Sequence, residues 1–134
     1  KDFKNERISK MKNLIIIGGV IWIICFIFHI LFWKLFDWKK DLELVKPVNK
    51  GIIQVLNLCL MLVFLIFAYI SIFQSEELLA TGLGKSLIAG MALFGVFRVI
   101  EQFIFFDLSQ FRSKLVSIGA LLIAIIYSIP LFFR

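Results

Sequence analysis

Histidine occurs once in this chain, cysteine twice and proline twice, and each scarcity closes off a class of chemistry. The single histidine, His29, excludes bis-histidine haem ligation within one chain and a His-rich zinc site. With Glu101 it offers two metal ligands, short of the three or four that zinc takes, so no metal and no cofactor is expected. Cys25 and Cys59 form no CxxC pair, which leaves thiol–disulfide exchange without its motif, and both are expected to be small buried apolar residues. GLGK at 82–85 lacks the rest of a phosphate-binding loop, and no nucleophile–base–acid set is visible, so no reaction is assigned. No ten-residue alternation marks a barrel strand, and there is no low-complexity tract or repeat.

Charge is scarce too. Only 18% of the residues are Asp, Glu, Lys or Arg, against 61% hydrophobic and a mean hydropathy of +0.99. A soluble domain carries about 45–50% apolar residues, so lipid must be the solvent around much of this chain. The net charge of +6 comes from basic residues in short segments between apolar runs, not from a continuous patch. That distribution suits anchoring to anionic head groups and gives no grounds for a nucleic-acid partner.

What the chain does have is four apolar runs, at 14–33, 52–73, 86–106 and 115–133. Each approaches the ~20 residues that a helix needs to cross the hydrocarbon layer. With their interfacial ends they predict spans at about 13–36, 49–74, 84–107 and 113–133. Helices are required because every backbone donor must be satisfied internally in lipid. The connections are short, so the expected fold is an all-α integral membrane protein: one domain, 1–134, an up-down four-helix bundle with both termini on one side. The first run is too long, and wrongly flanked, for a cleaved signal peptide. The sequence starts at Lys1 rather than Met, which leaves room for residues upstream. Pro47 fits the first turn of the second span, and Ser75 and Thr81 are expected helix caps. Phe36 and Trp38 fit the aromatic belt at a membrane surface.

Orientation does not follow from charge. Lys1, Lys4, Arg7, Lys10, Lys12, Lys85 and Arg134 fall on the side of the termini, the terminal face. Lys34, Lys39, Lys40, Lys46, Lys50, Arg112 and Lys114 fall on the other, the loop face, and a tie of seven to seven decides nothing. The Lys-, Ile- and Phe-rich composition suggests a multi-pass protein of a prokaryotic cytoplasmic membrane.

Depth singles out a site. At 1.5 Å per residue, His29, Gln54, Asn57, Arg98, Glu101 and Gln102 all lie about 8–13 Å beneath the loop face. Four helices bringing their polar side chains to one slab predict a shared cluster. Arg98 and Glu101 are three residues apart, as are Gln54 and Asn57, so each pair shares a helix face. A buried Arg98–Glu101 ion pair would offset the ~2.5–3.5 kcal/mol that a lone charge costs in a span. Small residues at intervals of four, Gly82, Ser86 and Gly90 on the third span and Ala120, Ala124 and Ser128 on the fourth, predict tight packing toward the terminal face. The bundle is then expected to form a cup, open toward the connection 34–50.

Two function classes follow. In the first, the cup binds the head group of a lipid-like, isoprenoid or quinone-like molecule, with His29, Gln54, Asn57, Arg98, Glu101 and Gln102 as ligand-binding residues. In the second, the chain is a non-catalytic accessory subunit whose polar cluster is structural. Membrane lipid, a lipophilic small molecule and a protein partner or second copy are the expected partners.

Overall fold

The structure, a computed structural model, describes residues 2–132; Lys1, Phe133 and Arg134, counted above in the charge tally and the last span, lie outside them. Among the described residues seven helices follow one another: α1 (Asp2–Ile30), α2 (Phe32–Leu35), α3 (Trp38–Asp41), α4 (Pro47–Phe73), α5 (Ser75–Ala80), α6 (Gly82–Phe105) and α7 (Phe111–Phe132). Four of them, α1, α4, α6 and α7, are long and apolar enough to cross a membrane. The protein is an all-α, membrane-type four-helix bundle.

Helix ends follow local chemistry. Pro47, which lacks a backbone donor, occupies the first turn of α4. Thr81 precedes α6, and its Oγ1 accepts the Gly84 N–H at 2.9 Å. Ser75, expected as a cap, instead lies inside α5, behind Gln74. Asp107 shapes the turn into α7 by accepting from the backbone N–H and the hydroxyl of Ser109, which hold its carboxyl below the usual carboxylate range. The connection after α1 holds two short helices and a 3₁₀ turn at Leu42–Leu44. Trp38 packs there on Phe32 and Trp33.

The first helix begins at Asp2, about eleven residues before its predicted span. Hydropathy locates the bilayer and not the helix. The polar stretch before it contains no breaker, and its Glu6–Lys10 pair, 2.7 Å apart, adds a modest i,i+4 contact.

The four long helices are antiparallel around a ring. α1 packs along α4, and α6 along α7, as two hairpins that join through α1 and α7. In lipid, burial of apolar surface does not drive helices together, so close backbone approach must supply the dispersion contacts. Glycine makes room at three joints. A Cβ on Gly95 would stand 2.6 Å from the Ala124 backbone nitrogen, one on Gly19 would stand 3.3 Å from the Ala68 backbone oxygen, and one on Gly18 would stand 2.7 Å from the hydroxyl of the Tyr127 side chain. The expected stripe of Gly82, Ser86 and Gly90 does not pack in this way. All three residues are exposed, and the space beside Gly82 and Gly90 is open. A spacing of four marks one face of a helix without saying which neighbour that face meets.

The fourth side of the ring, between α4 and α6, is closed by large side chains instead of by backbone. Trp22 of α1, fully buried, reaches across the bundle to lie 5.4 Å from the Phe64 ring, 5.1 Å from Phe67 and 5.5 Å from Phe94. Below it, toward the terminal face, Tyr127 and Ser71 lie 2.6 Å apart through their hydroxyls, and Ser71 reaches Met91 Sδ at 3.8 Å. Tyr127 donating to Ser71, and Ser71 to the thioether, satisfies the hydroxyls in turn.

Candidate functional site

The polar residues of the loop half stand directly above this aromatic layer. His29 follows Trp22 by seven residues, Asn57 precedes Phe64 by seven, and Arg98 and Glu101 follow Phe94 by four and seven. Steps of four and seven return a helix to the same face. One seam between the hairpins therefore runs from Ser71, Met91 and Tyr127 through Trp22, Phe64 and Phe94 to His29, Asn57, Arg98 and Glu101. Burial falls along it. Trp22 and Tyr127 are 0% exposed and Asn57 5%, whereas the side chains of Arg98 and Glu101 are 28% and 37% exposed.

On the α1–α4 wall, His29 Nδ1 meets Asn57 Oδ1 at 2.8 Å. The Asn57 amide nitrogen faces the His29 carbonyl oxygen at 3.3 Å and Met61 Sδ at 3.6 Å. With the nitrogen so engaged, Oδ1 is the acceptor and His29 Nδ1 the donor, which leaves the Nε2 lone pair of neutral His29 without a hydrogen bond among the described residues. Phe32 stacks on the imidazole at 4.2 Å and Phe64 meets it edge-on at 5.0 Å. Phe32 starts α2, just ahead of the connection 34–50 toward which the cup was expected to open, and covers the α1 side of the site.

On the α6 wall, Arg98 Nη1 and Glu101 Oε2 are 3.7 Å apart, inside ion-pair range and outside hydrogen-bond range. The pair is formed but not buried, contrary to expectation. Phe94, Arg98 and Glu101 turn toward α4 and the bilayer, while Gly95 and Gln102 turn toward α7. The Arg98 guanidinium lies 5.3 Å over the Phe106 ring, one residue beyond the end of α6, so its long stem carries the charge toward the loop face. Phe94, one turn below Arg98, lies 6.1 Å from the Phe64 ring that meets His29, so the two walls face each other across the seam.

The remaining two residues stand apart. Gln102, 1% exposed, donates through Nε2 to Ser113 Oγ at 2.6 Å, and its Oε1 has no hydrogen-bond partner among the described residues. It fastens α6 to α7. Gln54 is half-buried on α4 without a side-chain hydrogen bond among those the structure gives. The six polar residues thus divide into His29–Asn57, Arg98–Glu101, Gln102–Ser113 and a separate Gln54, with only the first two pairs facing each other. Among the described residues no three His, Cys, Asp or Glu side chains gather as metal ligands. Cys59, expected to be buried, is exposed, and Cys25 is half-buried.

Sequence reasoning missed the aromatic layer and the Ser71–Tyr127 contact. The signal was present in the seven-residue series Ile15, Trp22, His29 on α1, whose first two members are fully buried. A shallow hollow of about 270 Å³ lies elsewhere, on α7 near the terminal face, lined by Ala124, Ile125, Ser128, Ile129 and Phe132. Comparison with family models, curated proteins and solved structures finds no match to this chain.

Proposed function

We propose that the loop half of the α4–α6 seam holds the head group of a lipid-like amphiphile that enters sideways from the bilayer. The observation that carries this reading is the placement of a half-exposed Arg98–Glu101 pair on the same α6 face as Phe94, opposite His29 and Asn57. A cation in a span is costly unless it meets water, an anion or a head group. Arg98 has a counter-ion at 3.7 Å but no hydrogen bond to it, so its N–H donors remain available. The aromatic layer beneath gives the head group a dry floor. The acyl or isoprenoid tail stays in the apolar bilayer at the open edge of the seam.

Native mass spectrometry with lipid extraction tests this reading. Wild-type protein should carry a stoichiometric amphiphile that is lost from the double variant Arg98→Leu/Glu101→Leu while the bundle stays folded. An empty wild type, with a double variant at least as stable, would make the polar pair a packing device and favour an accessory-subunit role.

A further inference from the structure

We infer that the head group is zwitterionic, a phosphodiester carrying a primary ammonium, with the phosphate on Arg98 and the ammonium on Glu101. This inference rests on the seam's holding a lipid head group and adds its chemistry. Arg98 and Glu101 are one turn apart on α6, at 3.7 Å, and neither makes a side-chain hydrogen bond to another protein group among those the structure gives. An isolated pair in a low-dielectric setting gains by closing to hydrogen-bond distance. This pair stands slightly open, with guanidinium donors on one side and carboxylate acceptors on the other.

The ligand that completes both halves must present an acceptor anion and an N–H donor cation a few bonds apart. A purely anionic head group satisfies Arg98 but sets its charge beside the Glu101 carboxylate. A choline head group balances the charge but has no N–H to donate. An ethanolamine-type head group supplies both. The lean of Arg98 over Phe106 places the guanidinium toward the loop face, where lipid phosphates lie. His29 and Asn57, already bonded to each other through Nδ1, form the neutral opposite wall and add no competing charge.

The test is a competition among phosphatidylethanolamine, phosphatidylcholine and phosphatidylglycerol of matched acyl chains. The full chain in mixed micelles is titrated with each, and occupancy is read by native mass spectrometry. Wild type should retain the ethanolamine lipid about tenfold better than either competitor, the discrimination expected of one charge-assisted hydrogen bond. Glu101→Gln, close in shape, should bring the ethanolamine-to-choline ratio near one while lipid is still retained. Arg98→Gln should weaken all three. Equal retention of the three lipids by wild type, or an ethanolamine preference that survives Glu101→Gln, overturns the inference and leaves the lipid site standing. A wild type that retains no lipid removes the reading beneath it.

Discussion

The two halves of the inter-hairpin seam use the same helix faces for opposite ends. In the terminal half, Ile15, Trp22, Ser71, Met91 and Tyr127 are fully buried, and the polar atoms of Ser71 and Tyr127 close on each other within 2.6 Å. In the loop half, His29 is bonded to its neighbour Asn57, but Arg98 and Glu101 stay half-exposed and unclosed. The contrast sets a closed stretch beside an open one, and it can be attacked residue by residue.

The largest effect belongs to the layer that divides the halves. Trp22→Ala removes a side chain in contact with three phenylalanine rings and should cost about 3–5 kcal/mol in a denaturant titration in mixed micelles. Phe97→Ala, on the exposed face of α6, should stay within about 0.5 kcal/mol. Gly95→Val comes next at about 1–3 kcal/mol, because its Cβ meets Ala124 backbone that cannot step aside. The same change at Gly90 meets open space and should be nearly neutral in the same titration. Equal effects at the two glycines would mean that α6 packs through a different face.

Smaller effects test the polar atoms. Tyr127→Phe should cost about 0.6–1 kcal/mol, the usual worth of a hydrogen bond between membrane helices, with lipid occupancy unchanged. Arg98→Leu/Glu101→Leu should shift stability by no more than about 0.5 kcal/mol, since both members of a half-exposed pair leave together. The last contact, between Lys12 and Glu76, ties α1 to α5 at the terminal face. The Lys12 ammonium holds the Glu76 carboxyl below its ordinary value. A lowered folded-state pKa contributes stability that is present above the unfolded value and is lost as pH falls through the folded one. Acid titration of Lys12→Met against wild type should therefore show a small difference near neutral pH that vanishes well below the normal glutamate range. Added salt should shrink it as well.

How much of this could be read from the sequence differs between the spans and the site. The four spans were legible because ~20 uninterrupted apolar residues have one physical outcome in this setting. That the polar residues sit toward the loop ends of their helices was legible because position along a helix follows from counting. Partnership was not. Asn57 and Gln54 share a face by spacing, yet only Asn57 meets His29, since which arc of α4 faces α1 depends on how the hairpin closes. Gln102 follows Arg98 by four, yet it reaches Ser113 on α7 while Arg98 leans over Phe106. Likewise Gly95, alone in its spacing, makes the close contact that the regular stripe of Gly82, Ser86 and Gly90 does not. Periodicity gives the face, and only tertiary packing gives the neighbour.

The most direct measurement is nuclear magnetic resonance of labelled protein in bilayer discs, with a paramagnetic group attached to the lipid head. Asn57 and Leu56 lie at one depth on α4, as do Arg98 and Phe97 on α6, but Leu56 and Phe97 are exposed outside the seam. A head group drawn into the seam should broaden the signals of Asn57 and Arg98 more than those of Leu56 and Phe97, and Arg98→Leu/Glu101→Leu should abolish the difference at Asn57. Broadening that is equal within each pair, or greater at Leu56 and Phe97, would contradict a seam that holds a lipid head group.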